Sequence, residues 1–116
     1  MAWNAVDRFW AARTRGDWDA VVAQLQRGVS ITMLHENAEL SRGEFATFLR
    51  VMHNDAETTV RRRIAGGGRQ IAILATVARP KATYECAGFY DLREGRIEVV
   101  QELWLARGGS TMMDFV

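Results

Sequence analysis

From Thr58 to Leu105 every apolar run has the character of a β-strand, and no segment of helical period interrupts the series. Thr58–Ile64 is rich in β-branched residues, and Gln70–Val77 is a second β-prone run. Ala82–Leu92 and Ile97–Leu105 follow. Gly66-Gly67-Gly68, Arg79-Pro80-Lys81 and Glu94-Gly95 punctuate the runs at positions where the chain must turn. Strands that follow one another without a helix between them have no crossover to make them parallel. They are predicted to form an antiparallel meander of about four long strands.

The segment before this series is mostly helical in period. Asn4 is placed to cap a first helix carrying Trp3, Val6, Phe9, Trp10 and Arg13 on one face, with Gly16 ending it. Asp17 caps a second helix with Trp18, Val21, Val22 and Leu25, expected to end near Gly28. Between Val29 and His35 the period shifts toward two, which predicts a first strand with Val29, Ile31, Met33 and His35 on one side. Ser41-Arg42-Gly43-Glu44 has capping-box spacing, and Leu40 and Phe45 are placed as a hydrophobic staple. A third helix follows, with Phe45, Phe48, Leu49 and Met52 as its buried stripe and His53-Asn54-Asp55 closing it. Three helices and a strand followed by a meander give an α+β class, with residues 1–107 as one domain and 108–116 as a C-terminal tail. Helices on one face of a twisted sheet form a cone. The space inside it either fills with side chains or becomes a pocket.

The 116 residues suffice for one self-supporting core. A hydrophobic share of 48% and a charged share of 25% are those of an ordinary globule. With a net charge of +1, the overall field argues for neither a nucleic-acid nor a membrane partner. The single cysteine, Cys86, has no partner for an internal disulfide and no Cys or His at zinc-site spacing, so it reads as a small buried hydrophobe. No basic-then-apolar leader and no membrane-length apolar stretch is present, so a cytoplasmic location is expected. Gly66–Gly68 does not open a helix and fails the context of a phosphate-binding loop.

In order and spacing, three groups of residues resemble the nuclear transport factor 2-like superfamily, which includes ketosteroid isomerases, SnoaL-like cyclases, scytalone dehydratase and limonene epoxide hydrolase. They are Phe9-Trp10-Ala11-Ala12 with Gly16-Asp17-Trp18-Asp19, Leu40-Ser41-Arg42-Gly43-Glu44-Phe45, and Gly88-Phe89-Tyr90-Asp91-Leu92-Arg93-Glu94-Gly95-Arg96-Ile97. The resemblance implies three helices on a strongly curved antiparallel sheet, a cone with an internal pocket, no cofactor and no metal. It also implies a homodimer through the outer sheet face, here Ile73, Val99, Leu103 and Leu105. The isomerases' helix tyrosine, strand base and later acid fall at Phe9, at Met33 or Leu34, and at Ala87, none of which keeps that chemistry. A shift of two residues would bring His35 to the base position.

The same resemblance turns Glu98, Val100, Glu102 and Trp104 of the last strand toward the cone, with Ala87, Phe89 and Asp91 of the strand before it and Ile31, Met33 and His35 of the first. His35 as base and Glu102 as its orienting partner form the sharpest catalytic pair, suited to proton abstraction beside a carbonyl or to activating water. The plainer alternative makes His35 a solvent-facing strand end and Glu102 a surface charge. Phe9, Met33, Phe48, Phe89, Val100 and Trp104 are the candidate lining for a small apolar ligand. Two functions follow: a cofactor-independent isomerase, dehydratase, cyclase or hydrolase, or a non-catalytic ligand-binding or dimeric interaction module. Arg61-Arg62-Arg63 alternates faces and so makes no single anion patch; Arg62 alone reaches inward if Val60 and Ile64 also face the cone.

Overall fold

A computed structural model describes residues 4–107; the expected helical position of Trp3 and the 108–116 tail lie outside the described residues. Helix α1 spans Ala5–Arg15. The Asn4 side chain accepts from the backbone N–H groups of Val6 and Asp7, while Asp7 accepts from the Asn4 N–H. Gly16 closes the helix in the left-handed region at φ 74°. Helix α2 is a short turn, Trp18–Ala23, capped by Asp17. The expected continuation to Gly28 does not occur: Leu25 begins strand β1, Leu25–Met33, and is buried opposite Ile97. Burial of Leu25 against the sheet outweighs the helical spacing of Val21, Val22 and Leu25. A short strand β2, Ala38–Leu40, which carries no sequence signal of its own, folds back on β1.

Helix α3, Arg42–Met52, starts with the expected reciprocal capping box between Ser41 and Glu44. Strands β3 (Glu57–Gly66), β4 (Gln70–Ala78), β5 (Thr83–Arg93) and β6 (Arg96–Ala106) then form the predicted meander. The sheet order is β2-β1-β6-β5-β4-β3. It is mixed rather than wholly antiparallel, because β1 runs parallel to β6 with Ile31 beside Val100 and Met33 beside Glu102. Three helices thus cover a curved six-stranded sheet that does not close into a barrel.

Two bulges decide which side chains face the helices. In β3 the register shifts between Val60 and Arg62, so Arg63, not Arg62, reaches inward and meets Asp7 of α1 at 2.7 Å. In the β5–β6 pair it shifts beside Asp91 and Leu92, which buries Ile97 and leaves Glu98 to pair with Arg93 at 3.2 Å. Glu98 is therefore not an inward residue. On β5 the inward set is Cys86, Gly88 and Tyr90, opposite Trp104, Glu102 and Val100, which is the reverse of the expected Ala87, Phe89 and Asp91. Ile73 is also inward and buried, whereas Val99, Leu103 and Leu105 lie on the outer side as expected. Replacing Ser41 by Ala removes one half of the α3 capping box; a loss of about 1 kcal/mol in urea unfolding, with unchanged m-value, is the expected result.

Candidate functional site

Glu102 lies on β6 between Val100 and Trp104, facing the helices, and its neighbour across the ladder on β5 is Gly88. Helix α1 crosses this face with Phe9, Trp10 and Arg13 on its inner side, the three- and four-residue spacing placing all three over the same strip of sheet. Arg13 and Glu102 meet there with both side chains 0% exposed. Nη1 of Arg13 is 2.5 Å from Oε2 of Glu102, and Nη2 is 3.3 Å from Oε1. The Tyr90 hydroxyl donates to Oε2 at 2.6 Å, the Trp104 indole N–H to Oε1 at 2.9 Å, and the Cys86 thiol to Oε1 at 3.5 Å. Trp10 in turn donates from its indole to the Tyr90 oxygen at 3.1 Å. The carboxylate is thus saturated by donors from three elements.

The guanidinium is held on its other sides by rings. Its carbon sits 3.6 Å from the Trp10 ring centroid and 5.1 Å from that of Phe9. Its Nε donates to Nε2 of His53 at 3.3 Å. Because arginine can only donate, that imidazole nitrogen is the acceptor; the ring proton belongs on Nδ1, which lies 2.8 Å from the Thr58 hydroxyl. His53 is only 8% exposed and touches the rings of Trp10, Trp18 and Trp104. It closes α3 as expected, as the helix's C-cap, and in doing so turns its ring into the interior.

Charge is fixed by these contacts. Burial, the largest influence, opposes the charge on Arg13, but Glu102 beside it, together with Tyr90 and Cys86, leaves its pKa raised. Burial likewise opposes ionisation of Glu102, yet the Arg13 charge and the bonds from Arg13, Tyr90 and Trp104 leave its pKa below the usual carboxylate value. Burial, and then the adjacent Arg13 charge, push His53 down to about 3, so the ring is neutral. Burial, reinforced by Glu102, raises both Tyr90 and Cys86, which stay protonated. An anion with every lone pair engaged and an imidazole facing a guanidinium are both poor proton acceptors.

The expected pair of His35 and Glu102 is not formed. His35 lies in the turn after β1, where Nδ1 accepts from the Trp104 backbone N–H at 3.2 Å and Nε2 is 3.5 Å from Glu36. The expected apolar lining divides. Phe9, Met33, Val100 and Trp104 are buried in the core, and Phe48 is half-buried against Trp104 with ring centroids 5.4 Å apart. Phe89 projects from the outer face, and Leu34 is exposed. Arg13, His53, Tyr90 and Gly88 were not singled out as site residues from sequence. A signal for Arg13 was present: a cation on the apolar stripe of an amphipathic helix requires a buried acid.

Surface clefts occur at the N-terminal end of α1 (about 600 Å³, lined by Arg8, Arg69 and Arg93 among others) and beside the end of α3 (about 340 Å³). Among the described residues no group of three or more His, Cys, Asp or Glu is placed to hold a metal ion. No described helix is long and apolar enough to cross a membrane.

Gly88 is what admits Tyr90 to the network. A Cβ at position 88 would overlap the Tyr90 hydroxyl and ring, so the side chain folds back along β5 through space that only glycine leaves. Gly88→Ala is expected to expel the phenol and cost about 2–3 kcal/mol, with the loss of its two buried hydrogen bonds visible in a crystal structure. Acid should act through His53. With its folded pKa near 3, below the unfolded value, the unfolded chain binds the extra proton. The associated stability is therefore complete above pH 6.5 and declines as pH falls. As pH falls from 6.5 toward 4.5 this slope approaches about 1.4 kcal/mol per pH unit, and Glu102 adds to it at the lower end as it titrates in the unfolded chain. Urea midpoints across that range should flatten in His53→Gln.

No family model matches the sequence, and comparison with curated proteins gives no significant match. Solved structures do match in fold. An NTF-2 like protein of unknown function from Burkholderia xenovorans LB400 is 16% identical with a TM-score of 0.75, covering 97% of this chain and 90% of that one. An LEH-like epoxide hydrolase from M. tuberculosis is 19% identical with a TM-score of 0.66, over 87% and 80%. A protein with a ketosteroid isomerase-like fold from Catenulispora acidiphila DSM 44928, solved with trimethylamine, is 15% identical with a TM-score of 0.69, over 88% and 85%. At these identities the likeness is one of fold alone.

Proposed function

We propose, taking the nuclear transport factor 2-like fold of this chain as premise, that it is a non-catalytic module that pairs with a second copy through the outer face of its sheet. The observation that carries this reading is the apolar surface on that face. Phe89 is 47% exposed, Leu74 40% and Ile64 54%. Strand register sets Ile64, Ala72, Phe89 and Gln101 in one row across β3 to β6, and Arg62, Leu74, Ala87 and Leu103 in the next. Val99 and Leu105 extend the apolar area along β6, and Glu85, Asp91 and Gln101 border it. Large apolar side chains grouped on one face with a polar border are the usual composition of an association surface. The saturated interior supports the same reading, since neither Glu102 nor His53 is disposed to take a proton.

A second reading keeps the interior as the active site of a cofactor-independent acid–base enzyme acting on a small apolar molecule. What favours it is the cost of the network: a buried ion pair stabilises a core less than well-packed apolar residues of the same volume. Perturbed ionisable groups also gather at functional sites. An epoxide hydrolase among the fold's solved examples fits that class of reaction. In this reading Arg13 withdraws from Glu102 to free the carboxylate and open space for the ligand.

Sedimentation velocity separates the two. Wild type should sediment as a dimer at about 10 μM, a concentration well above the Kd of an interface of standard size. Leu74→Asp and Phe89→Asp should sediment as monomers with unchanged circular dichroism, because both residues are exposed. A monomeric wild type would remove the association reading. Benzene or a similar apolar probe that shifts the indole N–H resonances of Trp10 and Trp104 would favour the enzyme.

A further inference from the structure

We infer that the cleft beside the end of α3 is a binding site for a small aryl carboxylate. The site lies away from the outer face and adjoins the buried network only through the ring of Trp104, so its test stands whichever functional reading holds. Its lining comes from two connections. Asn54 and Asp55 follow α3, and Arg79, Pro80, Lys81 and Ala82 form the turn between β4 and β5, with Tyr84 of β5 alongside. The turn is closed by a hydrogen bond from the Arg79 N–H to the Ala82 carbonyl at 2.9 Å, and Asp55 holds a left-handed φ of 54°. A volume of about 340 Å³ is large enough for one ring bearing a carboxylate.

The chemistry of the lining selects the ligand. Arg79 and Lys81 are both cations without an ion pair among the described residues, and Asp55 engages neither of them. The Arg79 side chain lies along the last turn of α3, its Nη1 3.8 Å from the Met52 sulfur. Its Nε is shut off from solvent with no acceptor, so the guanidinium is incompletely satisfied by the protein itself. A carboxylate meets a guanidinium with two parallel bonds, and Lys81 supplies a second charge. The ring of Tyr84 is half-buried and braced edge-on by Trp104 at 6.2 Å, which fixes an aromatic surface for the body of the ligand.

The larger cleft at the start of α1 lacks this availability. There Arg93 is paired with Glu98 and Glu94, Arg8 donates to Gln24, and Arg69 donates to the Leu92 carbonyl. Its helix N-terminus is already satisfied by Asn4 and Asp7.

The test is a titration of the full-length, ¹⁵N-labelled chain with benzoate, using benzamide as the uncharged isostere. Benzoate should shift the amide resonances of Asn54, Lys81, Ala82 and Tyr84 with a Kd of about 1 mM or tighter, and benzamide should bind about tenfold more weakly. Arg79→Gln should abolish the shifts. Lys81→Ala, at an exposed position that leaves the fold intact, should weaken benzoate about threefold or more and leave benzamide unchanged. Equal binding of benzoate and benzamide, shifts centred on Arg8 and Arg69 instead, no shifts at all, or wild-type affinity in Lys81→Ala would each overturn the assignment.

Discussion

The contact between Arg13 and Glu102 ties this molecule together. It joins the first helix to the last strand, and both charges are removed from water, so each is tolerable only while the other is in place. Around it the chain has arranged the remaining donors and rings: Tyr90, Trp104 and Cys86 on the acid, and His53, Trp10 and Phe9 around the base. Apolar packing of Val6, Phe9 and Trp10 holds α1 against the sheet without a directional bond. A two-pronged bond between a planar cation and a planar anion does not slide. The pair therefore fixes one position of α1 over β5 and β6, and Asp7 with Arg63 fixes a second point farther along the same helix.

Much of the architecture was legible because its signals are local. The boundaries of α1 and α3 follow from Asn4, Gly16 and the Ser41–Glu44 box, and the meander follows from runs separated by turn residues. What failed was local information about faces. In β5, Cys86-Ala87-Gly88-Phe89-Tyr90 is apolar on both sides, so alternation cannot tell inside from outside, and the inward set was taken one residue out of phase. The bulge opposite Asp91 and Leu92 then moved Glu98 out and Ile97 in. Alternation along β6 puts Glu102 on the inner face, as observed, but the acid–base chemistry of His35 points to the first strand for its partner. The actual partner, Arg13, was visible only as an anomaly in a helix stripe. The turn of His53 into the interior depends on tertiary contacts with three tryptophans that no local pattern carries.

Three ionisable groups, Arg13, His53 and Glu102, sit inside an otherwise apolar core, while Ile64, Leu74 and Phe89 stand in water. Each half of that arrangement is costly by itself. Together they describe a sheet whose inner face is committed to holding its own helices and whose outer face is left to meet something else.

The parallel pairing of β1 with β6 also governs the order of events in folding. Strand β1 enters the sheet only when Arg96–Ala106 is present to receive it, and Arg13 finds its counter-charge 89 residues downstream. During synthesis the first helices and strand therefore emerge with an unmatched guanidinium and an unpaired strand edge, and they must wait for β6. Such long-range closure slows folding and prolongs exposure of the nascent chain. Strand β6, made after every other described strand, is the one that gives β1 its place in the sheet and Arg13 its counter-charge.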